Sequence, residues 1–359
     1  MQYILTRVLS IHPEEPSEEL VMEAADLIRK GELVVFPTET VYGLGADALQ
    51  IQAIERIFTA KGRPFSDPLI VHIAAHEELE TLVSSIPPIA RELAQAFWPG
   101  PLTLVLPASD RVPRLITAGL PNVAIRMPAH PVALALIRAA GTPIAAPSAN
   151  RFMHVSPTTA QHALADLNGS VPLILDAGPS KVGVESTVLN LCSALPTILR
   201  PGGVSLEALR TIIPEVQILS QHTSDATQEN QENEEAQVAP GQMAIHYSPI
   251  VPTFLFEGSV EEMHTAMLAE VRRRQAQGER VGVLIANEDM ATFQETGAHL
   301  YSLGSTPEQI ATHLFAGLRA LEDANVQVIL CRSFALDGVG RAVRDRLLKA
   351  AGGKIFKSA

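Results

Sequence analysis

Residues 33–72, LVVFPTETVYGLGADALQIQAIERIFTAKGRPFSDPLIVH, constrain this chain most, because their polar groups gather at the joints between apolar runs. The run 33–36 is short, apolar and β-rich, which predicts a buried strand. Pro37 stops its ladder, and Thr38-Glu39-Thr40 places hydroxyls and a carboxylate at the strand's exit. Gly43 and Gly45 are expected to allow a backbone path closed to bulkier residues. Ile51, Ile54, Ile57 and Phe58 form the apolar face of a helix over 51–60, ended by Lys61-Gly62-Arg63-Pro64. A second strand follows over 68–73, carrying His72. The predicted order is strand, polar turn, helix, cationic turn, strand, and such connections form the ligand crevice of an open α/β sheet. The plain alternative is an ordinary βαβ unit with a solvated basic turn, where substituting Lys61 or Arg63 costs little stability.

A chain of 359 residues accommodates two domains of ordinary size, and 47% hydrophobic residues supply their cores. The net charge of −12 argues against general nucleic-acid coating, which needs a positive footprint, but leaves room for a local anion pocket. Cys192 and Cys331 are the only cysteines, so there is neither a disulfide framework nor a four-cysteine zinc site. The first residues lack the long apolar core of a secretion signal, and the most membrane-like run, 131–147, is interrupted by Arg138, Gly141 and Pro143. A cytoplasmic protein without membrane contact is expected.

Downstream, helices are predicted near 18–27 and 130–140 and a helical region over 76–97 that Pro87-Pro88 restarts, with strands over 102–106, 123–127 and 143–146. Further strands are expected at 173–175, 187–191 and 197–199, a helix at 206–212, and a helix cap at Ser156-Pro157-Thr158-Thr159. Residues 221–237 then carry five acids, no base and no aromatic, a composition that cannot bury enough surface to fold. From residue 251 strands and helices alternate, predicting a small doubly wound α/β domain. The expected organisation is a catalytic domain over 14–213, a flexible acidic linker over 214–249 whose end closes over the pocket, and a C-terminal domain over 250–359.

No Walker loop, HExxH or GxSxG motif is present. Gly43-Leu44-Gly45 and Gly338-Val339-Gly340 match only the start of a dinucleotide fingerprint and read as turn glycines. His72 and His76 have a possible metal spacing but straddle a strand end and a helix start, so they read as structural. The stronger signal is convergence: Thr38, Thr40, Lys61, Arg63, His72, Arg126, Ser148, Asn150, Ser156, Thr158, Lys181, Ser186 and Arg200 lie mostly at strand termini. Cations among hydroxyls and amides suit a ligand bearing phosphate and carboxylate groups. Without a nucleophile paired to a base, catalysis by positioning and charge neutralisation is favoured.

PTETVYGLG (37–45), KGRP (61–64), PLIVH (68–72), FWPGPLT (97–103), RMP.H (126–130), APSAN (146–150), SPT (156–158), VGVESTV (182–188) and LRPG (199–202) resemble the YrdC-like domain. HYSP (246–249) and GVGRAVRDRLLKAA (338–351) resemble the longer, two-domain threonylcarbamoyl-AMP synthases. The resemblance implies a YrdC-like twisted open sheet with flanking helices plus a smaller Rossmann-like α/β domain. It implies a nucleotidyltransferase that converts L-threonine, bicarbonate and ATP into threonylcarbamoyl-AMP and pyrophosphate, for tRNA modification. By the matched motifs, Thr40, His72, Arg126, Ala146 and Ser186 would hold threonine. Arg63, Asp67, Asn122, Ser148, Ser156, Arg200 and Tyr247 would hold ATP, and Lys61, Arg63 and Asn150 would be catalytic. Magnesium would accompany the triphosphate, with no protein metal site and no tightly bound cofactor, and the product would pass to a tRNA threonylcarbamoyl transferase complex with little or no direct tRNA contact. Asp67 stands where the family often has Asn, Asn122 where Thr is common, and Met153-His154 replaces a Gly-plus-basic pair; these departures bear on nucleotide affinity. The alternatives are an RNA-binding or ribosome-associated module and an enzyme forming carbamoyl-adenylate.

Overall fold

The computed structural model describes residues 4–219 and 248–357. The chain divides into two compact units, one of Met1–Phe152, Pro157–Lys181 and Glu185–Gln242, the other of Met153–Ser156, Val182–Val184 and Met243–Ala359. Two short segments of the expected first domain thus group with the second unit. The acidic run, the expected pocket-closing segment and Tyr247 fall within 220–247, outside the described residues.

The first unit runs β1 (Arg7–Ser10), α1 (Glu18–Arg29), β2 (Val34–Phe36), β3 (Gly43–Asp47), α2 (Ile51–Lys61), β4 (Ile70–His72), α3 (Leu79–Leu82), α4 (Pro88–Phe97), β5 (Leu102–Pro107) and β6 (Asn122–Arg126). It continues α5 (Pro131–Ala140), β7 (Ile144–Ala145), α6 (Ala160–Leu167), β8 (Leu173–Asp176), β9 (Thr187–Asn190), β10 (Thr197–Arg200), α7 (Leu206–Arg210) and β11 (Gln217–Ile218). The strands form one mixed sheet in the order β1-β8-β2-β3-β7-β4-β6-β5-β9-β10-β11. Alternation along β2 divides its side chains between two cores. Val35 packs with Ile54, Ile57 and Phe58 of α2 and Leu93 of α4. Val34 and Phe36 pack with Ala24 and Ile28 of α1 and Leu136 of α5.

The organising stretch is more than a βαβ unit. Residues 43–47, expected as part of a polar turn, form β3, which returns antiparallel to β2 with Phe36 opposite Gly43. Neither Gly43 nor Gly45 adopts a left-handed φ, so backbone freedom is not what they provide. Gly45 provides room: a Cβ there would stand 2.7 Å from Phe36 Cε1 and 3.0 Å from Ile144 Cγ2. The helical region over 76–97 restarts at Pro88, where the Pro87-Pro88 pair predicts it, as α4, after a 3₁₀ turn and α3. Two other expectations shift. The cap of α6 is Thr159, whose side chain accepts from His162 N, rather than Ser156. β11 lies inside the stretch expected as linker and pairs with β10.

The second unit contains β12 (Thr253–Glu257), α8 (Val260–Ala276), β13 (Val281–Ile285), α9 (Met290–Phe293), β14 (His299–Ser302), α10 (Pro307–Asp323), β15 (Val328–Arg332), α11 (Gly340–Ala351) and β16 (Ile355–Lys357). Its strands pair in parallel in the order β14-β13-β15-β12-β16, the doubly wound arrangement expected from the sequence. Among the described residues no helix is long and apolar enough to cross a membrane.

Because the Phe36 ring already fills the space over β3, Gly45→Ala should overpack this core and destabilise the chain by about 1–3 kcal/mol. The urea unfolding midpoint measures this; an unchanged midpoint would show that Phe36 moves aside freely.

Candidate active site

His72 ends β4 and Arg126 ends β6, and the parallel register sets the two residues side by side. Both are buried, at 3% and 4% exposure. A guanidinium taken out of water needs a full set of acceptors, and the turn after β2 supplies most of them. Arg126 Nη2 donates to Glu39 Oε1 at 2.5 Å and Nη1 to Thr40 Oγ1 at 2.9 Å, while Nε donates to the Gly100 carbonyl at 3.2 Å. Thr40 Oγ1 lies 2.8 Å from Thr38 Oγ1, which donates to the Val41 carbonyl at 2.6 Å, so hydroxyls relay the charge into the backbone. Among the described residues, Glu39 Oε2 and His72 Nδ1 are buried here and have no hydrogen-bond partner. Burial, reinforced by the Arg126 charge, pushes the His72 pKa down to about 3, so its imidazole is neutral at physiological pH.

A second network joins β10 to β5 through Ser186, the residue before β9. Arg200, the last residue of β10, donates through Nε and Nη2 to the Ser186 carbonyl at 3.2 and 3.0 Å and through Nη2 to Ser186 Oγ at 3.2 Å. Ser186 Oγ lies 2.8 Å from Thr103 Oγ1 on β5.

The cationic turn is not solvated, which overturns the plain reading of it: Lys61 is 4% and Arg63 7% exposed. Gly62, at φ +65°, closes α2 in a left-handed cap and turns the chain inward after Lys61. Lys61 Nζ donates to the carbonyls of Ser148 and Asn150 at 2.6 and 2.5 Å and reaches Asn150 Oδ1 at 3.5 Å. These acceptors are uncharged, and burial together with the Arg63 charge holds the Lys61 pKa well below the ordinary ammonium range. Arg63 directs Nε and Nη2 at the carbonyls of Asp67 and Pro68, 3.1 and 2.6 Å away. Its Nη2 also stands 2.9 Å from Asp67 Oδ1, a charge contact not aligned as a hydrogen bond, and both Asp67 oxygens are buried without a hydrogen-bonding partner. Burial raises the Asp67 pKa against the opposing pull of Arg63 and Lys61.

The remaining expected residues lie at several places. Ala146 is buried just beyond β7, its N–H held by the Ile70 carbonyl at 3.0 Å, and Ser148 bridges to Gly43. Asn122 opens β6, roughly 13 Å along the strand from Arg126 at ~3.3 Å per residue. Beside it the loop after β5, with Ser109, Arg114 and Thr117, lines a cleft of about 310 Å³. Ser156 is fully buried but belongs to a segment of the second unit. Lys181 is exposed and pairs with Glu14 at 2.9 Å. Glu39 and Thr103 were assigned no role from the sequence; a carboxylate between two hydroxyls at a strand exit, and the one hydroxyl in the apolar run 102–106, were the available signals.

Among the described residues no three His, Cys, Asp or Glu side chains group to hold a metal ion. The protonation of His72 yields a direct test. Its pKa is depressed from 6.5 to about 3 on folding, so between those values the unfolded chain binds the extra proton. The His72 contribution to stability is therefore complete above pH 6.5 and is lost as pH falls towards 3. His72→Gln should flatten the acid limb of the stability curve across this window by up to about one proton. An unchanged slope would show that His72 is not buried neutral.

Residues 26–202 match the family described as "Telomere recombination", and residues 204–352 that described as "Threonylcarbamoyl-AMP synthase, C-terminal domain". A threonylcarbamoyl-AMP synthase of Pyrococcus abyssi is 43% identical over 353 residues, covering 98% of this chain and 100% of that one. One of Bacillus subtilis is 42% identical over 338 residues, 94% of each chain. The crystal structure of P. abyssi Sua5 complexed with L-threonine superposes with a TM-score of 0.90 at 42% identity, covering 98% of this chain and 100% of that one. With two relatives aligned across nearly their whole length, and buried cations and hydroxyls at the strand ends, this chain belongs to the threonylcarbamoyl-AMP synthase family.

Proposed function

We propose that this chain is an L-threonylcarbamoyladenylate synthase, a nucleotidyltransferase that joins L-threonine, bicarbonate and ATP and releases pyrophosphate. The observation that carries the reading is the buried cluster at the ends of β4 and β6, in which Arg126 bonds Thr40 and stands in register with His72, with Ser186 and Arg200 in a separate buried network at the end of β10 and no nucleophile–base pair in either. Arg126 and Ser186 suit a carboxylate. Neutral His72, with Nδ1 buried and without a partner, suits a hydroxyl. The amine of threonine takes up bicarbonate as a carbamate, with loss of water. A carbamate oxygen then bonds to the α-phosphorus of ATP as the bond to pyrophosphate breaks.

Lys61 is the buried cation suited to the charge that develops in this step, because an incoming anion restores the ionised form that burial disfavours. Arg63, Ser148, Arg200 and Asp67 remain the proposed ATP contacts, with Ser156, Tyr247 and Asn122 assigned on resemblance alone. A magnesium ion carried in on the triphosphate fits Asp67, whose two carboxylate oxygens are buried and accept no hydrogen bond. When bound, magnesium would supply charge neutralisation on the phosphates. The product, a reactive mixed anhydride, would pass to a tRNA threonylcarbamoyl transferase complex. A net charge of −12 gives the chain little general affinity for tRNA.

Incubating the chain with ATP, magnesium and each amino acid, with and without bicarbonate, tests the assignment. Pyrophosphate release should require both threonine and bicarbonate, and serine should be poorer by roughly 1 kcal/mol for the missing methyl. Equal rates with alanine, which has no hydroxyl for His72, would sink it. Substitutions in the buried turn should separate catalysis from stability. Lys61→Met removes an ammonium with uncharged partners, so stability should change by less than about 2 kcal/mol while turnover falls some hundredfold. Arg63→Ala removes the nearest counter-charge of the buried Asp67 carboxylate and should cost about 3 kcal/mol of stability, most of it recovered by adding Asp67→Asn. Normal turnover in Lys61→Met would remove Lys61 from the mechanism.

A further inference from the structure

Glu39 is the carboxylate that holds Arg126, yet half of its hydrogen-bonding capacity is unspent. It is 8% exposed, its Oε1 accepts from Arg126 Nη2 at 2.5 Å, and its Oε2 is buried with no hydrogen-bond partner. A buried carboxylate oxygen without a donor is a costly arrangement. Arg126 could have relieved it by a two-pronged pairing, but its Nη1 and Nε are committed to Thr40 and Gly100. His130 feels the Glu39 charge but is held towards its neutral form by burial, and its Nδ1 accepts from Val132 N at 3.2 Å, so it brings no counter-charge.

We propose that Glu39 Oε2 receives the α-ammonium of the amino-acid substrate, making Glu39 the residue that selects an α-amino acid over other hydroxy carboxylates. This rests on the threonine reading above and names the group that reads the amine. An α-amino acid carries its two opposite charges two bonds from each other, and Arg126 beside Glu39 presents the complementary pair. Arg126 suits the carboxylate, Glu39 the ammonium and His72 the hydroxyl. An analogue with a hydroxyl in place of the ammonium can still donate one hydrogen bond to Oε2 but brings no positive charge to answer the carboxylate.

The test is calorimetric binding to the full chain, without turnover, of L-threonine and of 2,3-dihydroxybutanoate, which replaces the ammonium by a hydroxyl and keeps the rest. The wild-type chain should prefer threonine by at least about tenfold, the discrimination expected of a charge-assisted hydrogen bond. Glu39→Gln should abolish most of that preference, weakening threonine while leaving the analogue unchanged or improved. Equal weakening of both ligands would show that Glu39 only positions Arg126 and would overturn the proposal. So would equal affinity of the wild-type chain for both ligands, a result that needs no variant to fold. Binding of neither ligand by the wild-type chain, with no pyrophosphate released, would instead remove the threonine reading and this proposal with it.

Discussion

The burial of the Arg126 guanidinium is the constraint from which the first unit takes its working shape. A charge at 4% exposure persists only if its hydrogens are met, and the acceptors come from parts of the chain far apart in sequence. Glu39 and Thr40 belong to the turn after β2, and Gly100 to the turn before β5. Arg126 thus fixes how the turn over residues 37–42 lies, and Thr38 carries the same constraint on to the Val41 and Ser180 contacts. The polar face of the pocket and the path of the hairpin are one problem with one solution.

Two kinds of buried charge coexist in this unit, and they suit different tasks. Arg126 has a carboxylate, a hydroxyl and a carbonyl, and is held in one orientation, as a group that must read geometry should be. Lys61 has only uncharged oxygens, so it is held in place while its charge remains poorly compensated. Asp67 is the inverse case, close to Arg63 but without an aligned hydrogen bond. Strain of this electrostatic kind clusters where ligands bind, because the ligand completes the set of partners.

Much of this was legible in the sequence because polar residues at the ends of apolar runs are conspicuous. His72 and Arg126 each stood out as the polar member of a strand, and the structure puts them in register. β3 was hidden because two glycines in five residues lower strand propensity, and Gly45 is explained only by the Phe36 ring and Ile144 packed over it. The burial of Lys61 and Arg63 was equally hidden, since both residue types usually reach water and nothing local says otherwise. Lys181 misled for the opposite reason: it sits between motif residues in sequence but meets Glu14 at the surface. Glu39 was visible as a carboxylate, but its partner lies on β6, and a contact across the sheet has no signature in neighbouring residues.

The edge pairing of β1 with β8 has a consequence for how the chain is made. Arg7 of β1 pairs with Leu173, and β1 stands at the border of the sheet with β8 as its neighbour. At a synthesis rate of ~5–20 residues per second, the first strand waits roughly 10–30 s for that partner to be translated. The nascent chain therefore carries an unpaired N-terminal strand for far longer than a hairpin takes to close, exposed to any other free strand edge nearby.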